Sequence, residues 1–220
     1  NEYTFGGYIN DDTITIFEWL QKNIVSYLPI SIVNGPKGLK PVLDLFLEGG
    51  NLTPRLEITA GLEWFQNGPI VTQSTSDDII NQVMVRYAIN GVTNTPTARI
   101  SISNSKSPTP MLGFGLNPLC EISKANYGTK RRVITLDYCY DWKTANKIAN
   151  NIITTKAMPT KTIEYSVPLH YGYLEIGDII EITDDDLGFS GLKCQMLSKQ
   201  YSDNRWVMDF KMDSNPLRRN

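Results

Sequence analysis

Residues 173–200 read YLEIGDIIEITDDDLGFSGLKCQMLSKQ. Apolar side chains alternate with others through Ile180 and Ile182, and again through Leu192, Cys194 and Met196. A period of two puts every second side chain on one face of a half-buried strand. Between the runs stand Asp184, Asp185, Asp186, Leu187 and Gly188. Asp and Gly suit turns, because a short carboxylate bonds back to local backbone and glycine accepts positive φ. The stretch therefore reads as strand, turn, strand, with Gly177-Asp178 making an earlier corner. Asp184 to Asp186 stand with Glu175, Asp178 and Glu181, so a metal or acid–base site is the competing reading.

A calcium loop needs oxygen ligands at alternate positions, a glycine at the sixth and a bidentate glutamate at the twelfth. Counted from Asp184, those two positions hold Phe189 and Gln195, and the pattern fails. Turn chemistry is thus the expectation for the aspartates, ahead of an exposed ion site or a catalytic role. Replacing all three together is expected to change stability only modestly.

Period-two alternation continues on both sides. It runs through Val83, Val85, Tyr87 and Ile89; through Ala98, Ile100 and Ile102; and through Ile134, Leu136, Tyr138 and Tyr140. It returns in Ile163, Tyr165, Val167 and Leu169, and in Trp206, Met208, Phe210 and Met212. Asn90-Gly91, Asn204-Arg205 and Gly188 to Gly191 lie between runs, where turns belong. Two segments have helical spacing instead. Over 16–28, Phe17, Leu20, Ile24 and Leu28 form a stripe, Thr15 and Glu18 form a capping box, and Pro29 stops the helix. Over 142–157, Ala145, Ile148, Ala149, Ile152 and Ile153 fill one face, Asp141 caps the start and Pro159 bars continuation. Residues 30–70 read as a helix packed on a few strands. Residues 103–130, rich in Ser, Pro, Gly and Asn, read as a long crossing loop. The class is α+β, predominantly β, and the short strands after the second helix suggest a small antiparallel barrel or sandwich.

The 220 residues suffice for one or two domains, and with 21 basic and 23 acidic residues the chain lacks the basic footprint of a nucleic-acid binder. Lys130-Arg131-Arg132 and Arg218-Arg219 read as solvated surface. No apolar run reaches the ~18 residues of a membrane-spanning helix, and no signal peptide is expected. The chain opens at Asn1 without methionine, so it is expected to be a fragment of something longer. Cys120, Cys139 and Cys194 are odd in number and show no CxxC, so buried reduced thiols are expected, consistent with synthesis in a reducing cytosol.

Nucleophilic catalysis needs a base beside the nucleophile. The single histidine is His170, and there is no G-x-S-x-G. One histidine and three scattered cysteines give no zinc spacing. Carboxylate pairs for glycoside hydrolysis remain open as a class, with Glu18, Asp44, Glu48, Glu57 and Glu63 as candidates. Glu18 is accounted for by the capping box, and Asp44 and Glu48 alternate as a solvent face would. Gly113-Phe-Gly115 lacks the context of a phosphate loop. Asn51-Leu-Thr53 matches a glycosylation sequon and reads as chance. Most aromatics fall on core faces, with Trp64 and Trp142 unassigned. No catalytic, metal or cofactor-binding residue is nominated, and no cofactor is expected.

The order of pieces from Ala145 to Met212 resembles the closing part of bacteriophage tail hub proteins. There a helix and an extended strand precede L-x-[IV]-G-D-[IV]-[IV]-x-[IV]-T, a D-x-x-L-G-like turn, a strand and a last strand with a tryptophan. Here the corresponding pieces are Leu174 to Thr183, Asp184 to Gly188, Leu192 to Ser198 and Arg205 to Met212. Asp77 to Tyr87 is similar to the N-x-V-x-V-x-Y strand that precedes this region in the family. The helix from Ile16 suits the small α/β insertion that such hubs carry. The resemblance implies small antiparallel split barrels with two helices and that insertion. It divides the chain into an insertion-like domain (1–70), a β-rich barrel domain (71–140), and a helix plus antiparallel barrel that closes the hub (141–220).

It also implies a structural role without enzyme activity. The family forms a homotrimeric ring at the tail tip or baseplate, in phages and prophages. That ring joins the tail tube to host-recognition proteins and lets the tape measure and DNA pass during genome ejection. Partners would be tube, distal tail, tape-measure and fibre or spike proteins, with no sequence-specific nucleic-acid binding. The location would be the virion tail, after synthesis in the host bacterial cytoplasm. Two other classes stay open. A carbohydrate- or receptor-binding module needs exposed aromatics on one face. A tail-associated cell-wall glycosidase or peptidase needs carboxylates, or a Cys–His pair, converging in one cleft.

Overall fold

The computed structural model describes residues 3–6, 15–35, 38–44, 46, 52–59, 69–103, 114–115 and 117–212. The chain divides into two compact units. One gathers Asn1–Pro29, Ser76–Met158 and Asn215–Asn220; the other gathers Ile30–Thr75 and Pro159–Ser214. Neither unit is a single stretch of sequence.

In the first unit, α1 (Ile16–Asn23) carries the expected capping box, with Glu18 N–H donating to Thr15 Oγ1 at 3.2 Å and Thr15 N–H to Glu18 Oε2 at 2.9 Å. The helix stops at Asn23, short of residue 28, and a 3₁₀ turn follows at Val25–Tyr27. Its buried residue is Trp19, which meets the edge of Tyr138 at 4.6 Å, while Phe17 and Leu20 of the expected stripe are exposed. Strands β5 (Gln82–Asn90), β6 (Thr95–Ile102), β7 (Phe114–Gly115) and β8 (Arg131–Thr135) form a sheet in the order β7-β6-β5-β8. β5 and β6 are antiparallel, whereas β8 joins β5 and β7 joins β6 in parallel. Val83, Val85, Ile100 and Ile102 face a core that also holds Leu119, Cys120, Ala145, Ile148, Ala149 and Ile153.

The last six residues belong to two helices. α3 (Trp142–Lys156) starts where expected, with Asp141 accepting from Thr144 N–H at 2.8 Å. α2 (Pro118–Tyr127) lies inside the segment expected to be a loop. Asn117 caps it by accepting from Leu119 N–H at 3.1 Å, and Pro118 occupies a first-turn position where no N–H is needed. The alternation through Leu136, Tyr138 and Tyr140 does not continue the strand: β8 ends at Thr135 and a turn follows.

In the second unit, β1 (Ile30–Gly35) and β2 (Gly38–Leu43) form a hairpin. A six-stranded sheet has the order β3-β10-β11-β12-β9-β4. Its strands are β3 (Leu56–Thr59), β4 (Ile70–Gln73), β9 (Lys161–Val167), β10 (Ile179–Asp184), β11 (Phe189–Ser202) and β12 (Arg205–Met212). All neighbours are antiparallel except β3 and β10. Ser202↔Arg205 closes the β11–β12 hairpin through Asp203 and Asn204, both at positive φ, the two-residue turn that matches strand twist. Ile58, Ile163, Tyr165, Ile180, Ile182, Met196, Met208 and Phe210 make the core of this unit. The strands expected from 163 to 212 are therefore present in order. The class is α+β and mostly β, with three helices rather than two and with open sheets: no barrel closes among the described residues.

Candidate functional site

The acidic residues of 173–200 do not converge. Asp184 is buried at 5% exposure. Its Oδ1 accepts from Leu187 N–H at 3.1 Å, and its Oδ2 accepts from the Tyr165 hydroxyl at 3.3 Å. Burial, then the Asp184 carboxylate, push the Tyr165 phenol far above its ordinary range. Asp185 and Asp186 are exposed; Asp185 C=O accepts from Gly188 N–H at 3.2 Å, and Gly188 sits at φ 67°. Asp178 closes the preceding corner, accepting from Glu175 N–H at 2.7 Å, and pairs with Arg55 at 2.6 Å. Glu175 is held below the usual carboxylate range, first by its hydrogen bond to Lys40, 2.9 Å away. Glu181 lies against Gly191, where an added Cβ would come within 2.9 Å of its Oε1. Asp184, Asp178 and Glu175 thus each serve a separate structural partner. Among the described residues, no group of three His, Cys, Asp or Glu is placed to hold a metal ion.

The remaining candidates scatter likewise. Glu18 caps α1. Asp44 bonds Phe46 N–H at 3.2 Å and pairs with Lys211. Glu57 is exposed on β3. Glu48, Glu63, Trp64, Asn51 and Gly113 lie outside the described residues. His170 is exposed in the 3₁₀ turn Leu169–Tyr173, its ring 3.9 Å from that of Tyr171. The three cysteines are buried and outside disulfides, as expected. Burial pushes the Cys120 thiol up to about 11 and raises that of Cys139, which keeps both protonated and unreactive at neutral pH.

Two features escaped the sequence reading. Asn81 is buried in the first unit. Its amide donates to Gly128 C=O at 2.7 Å and to Ser123 Oγ at 3.2 Å, and its carbonyl accepts from Lys130 N–H at 2.7 Å. It ties the start of β5 to the end of α2 and the approach to β8. In the second unit, the 3₁₀ turn packs onto Trp206. The indole donates to Leu169 C=O at 3.3 Å, and Lys199 lies 4.3 Å over the ring while donating to the carbonyls of Gly172 and Leu174. Tyr201 meets Trp206 edge-on, and exposed Tyr173 lies under Arg55 at 5.8 Å. The L-x-[IV]-G-D segment is thus anchored on the last strand's tryptophan.

That anchoring joins the same pieces whose order carried the resemblance. Residues 121–192 match the family model of a putative phage tail protein. Comparison with curated proteins finds no match. Among solved structures, the tail protein from Neisseria meningitidis MC58 is similar at TM-score 0.53 and 13% identity, covering 96% of this chain and 59% of that one. Prophage tail protein gp18 from Listeria monocytogenes EGD-e gives TM-score 0.43 at 10% identity, covering 85% and 49%. The 43 kDa tail protein of prophage MuSo2 from Shewanella oneidensis gives 0.45 at 10%, covering 84% and 50%. The chain spans about half the length of the solved structures it matches. The phage-tail resemblance is borne out by the family match over residues 121–192, and the Neisseria structure shares the fold.

Proposed function

We propose that this chain is a structural, non-catalytic part of a tail-tip or baseplate hub. It forms a homotrimeric ring that joins the tail tube to host-recognition proteins and lets the tape measure and DNA pass. The observation that carries the reading is the phage-tail match over 121–192, which runs from within α2 through β8, α3, β9 and β10 to the start of β11. Assembly suits the sheets: β4 is an edge strand exposed along its whole length, with Ile70 and Val71 in contact with solvent and no charge to blunt pairing. The test is the solution mass by light scattering behind a sizing column, across a concentration series. A species near three times 24.8 kDa is expected, and a persistent single-chain mass would count against the ring.

A receptor- or carbohydrate-binding role has one observation in its favour. Tyr173 and Tyr201 are both about half exposed, Tyr201 edge-on to Trp206 and Tyr173 under Arg55. Aromatic faces with an adjacent polar group can stack on a sugar ring. A glycan and cell-wall binding screen, with Tyr173→Ala and Tyr201→Ala as controls, separates this reading from the hub.

A further inference from the structure

We propose that Asn90 is a site of spontaneous covalent modification. Its side-chain amide is lost through ring closure by the Gly91 backbone nitrogen, which plants a carboxylate at the tip of the β5–β6 hairpin. The proposal does not depend on the phage-tail reading.

Asn-Gly occurs at 34–35, 67–68 and 90–91. In this dipeptide the backbone nitrogen after the asparagine can attack the side-chain carbonyl carbon and close a five-membered ring. Glycine leaves that approach open, having no Cβ. The fold treats the copies differently. Asn34 and Gly35 both lie within β1, paired with Leu39 and Gly38, so ring closure there must first open the hairpin. Asn67 and Gly68 lie outside the described residues. Asn90 is the last residue of β5, and Gly91 is the first of the turn. Among the described residues, no hydrogen bond engages the Gly91 N–H. A Cβ added at Gly91 would meet no atom within 4 Å, and Val92 is 94% exposed, so water reaches the tip.

The turn also prepares the electrophile. Asn90 Oδ1 accepts from Val92 N–H at 2.9 Å and from Thr93 N–H at 3.3 Å. Both partners can only donate, which fixes oxygen rather than nitrogen at that position. When the Gly91 nitrogen adds to Cγ, negative charge gathers on Oδ1, where two N–H dipoles already point. The new bond joins Gly91 N to Asn90 Cγ, and the Gly91 N–H proton passes to water. The Cγ–Nδ2 bond breaks, and the amide nitrogen takes a proton from water and leaves as ammonia. A second water then opens the ring at either carbonyl, giving an aspartate or an isoaspartate at position 90; nothing is oxidised or reduced.

The aspartate product keeps an acceptor for Val92 and Thr93. The isoaspartate product routes the main chain through Cβ and Cγ. It does so where Asn94 N–H donates to Asn90 C=O at 2.8 Å and Asn90 pairs with Thr95, so it undoes that end of the hairpin. Either product brings the first carboxylate to β5, β6, β7 and β8, which contain no Asp or Glu.

The experiment incubates the intact chain at mildly alkaline pH, once folded and once in guanidinium chloride. Circular dichroism establishes that the first sample stays folded. Peptide mapping by mass spectrometry follows each site through the mass difference between NH2 and OH. Each site is compared with itself in denaturant, which cancels the effect of its sequence neighbours. Asn90 should react in the folded chain at least as fast as in denaturant, and faster as pH rises. Asn34 should slow on folding by at least about tenfold, because it must wait for the strand pair to open. Gly91→Ala should slow Asn90 and leave Asn34 unchanged, and Asn90→Gln should abolish the signal at the tip. An Asn90 that slows on folding means that the turn protects its amide, and overturns the proposal. An Asn34 that folding does not slow overturns it as well, because the dipeptide and not the fold would then select the site.

Discussion

The Tyr165 hydroxyl donates to the Asp184 carboxylate across 3.3 Å, in the interior of the second unit. Asp184 is therefore not equivalent to the two aspartates beside it. It closes a turn through Leu187 N–H and satisfies a buried phenol, while Asp185 and Asp186 are exposed. Asp184→Ala should cost about 1–3 kcal/mol, because it removes the buried Tyr165 bond to that carboxylate and unpins the turn. Changing Asp185 and Asp186 together to Ser should stay within about 0.5 kcal/mol. Urea denaturation of the two variants checks this. Equal losses would mean that the turn, and not the Tyr165 contact, sets the cost.

Gly172 is required by space. A Cβ there would lie 2.7 Å from Trp206 Nε1. The indole cannot retreat without losing the Leu169 carbonyl and the Lys199 ammonium above it. Gly172→Ala should lower stability by about 1–3 kcal/mol. Combining it with Trp206→Phe, which removes the Nε1 atom, should recover part of that loss. A double variant no better than the sum of its parts would refute the packing argument.

The strands were legible in different degrees, for a physical reason. Strands 161–167 and 205–212 bury one face, and 179–184 and 189–202 keep the same core-facing alternation although Ile179 and Gln195 are also buried on the other face; the period-two pattern is imposed by the core face. The same rule misreads Leu136 to Tyr140, where Leu136 and Cys139 are buried from a turn and the alternation is coincidental. Helix α2 was hidden because Ser123 is among its core positions and Pro, Ser and Gly surround it. The signal that could have found it is Asn117-Pro118 at the start with Gly128 at the end. The pairing of β3 with β10, which joins residues 56–59 to 180–183, leaves no local trace, so the interleaving of the two units could not be read from periodicity. No site was nominated from sequence. The residues now singled out, Asn81 and Trp206, depend on contacts between distant segments.

Asn81 offers a direct test of such a contact. All its polar atoms are used in a buried setting: two bonds from the amide and one to the carbonyl. Asn81→Ala leaves Lys130 N–H and Gly128 C=O without those partners, and should cost about 2–4 kcal/mol from more than one lost buried bond. Gly128 sits at φ 71° and ψ −173°, a region essentially reserved for glycine, so Gly128→Ala should cost about 1–3 kcal/mol although its Cβ would meet no atom. Both variants should speed amide hydrogen exchange in α2 and β8 more than in β9 to β12. Uniform acceleration across both units would argue against this local role.

Asp141 carries a pH dependence whose sign follows from its cap. Hydrogen bonding from Thr144 N–H holds its carboxyl below the usual range, with burial opposing and the Thr144 hydroxyl assisting. A folded pKa below the unfolded value means that folding favours the carboxylate. The contribution is complete above the unfolded pKa, near ~4, and is lost as pH falls through the lower folded value. Asp141→Asn keeps a competent cap oxygen but no charge. The parent's Tm should therefore exceed the variant's by a constant margin from pH 7 down to about 5, then converge on it below about 4. A margin that persists to pH 2.5 would place the stabilisation in packing around Thr144 rather than in the ionised cap.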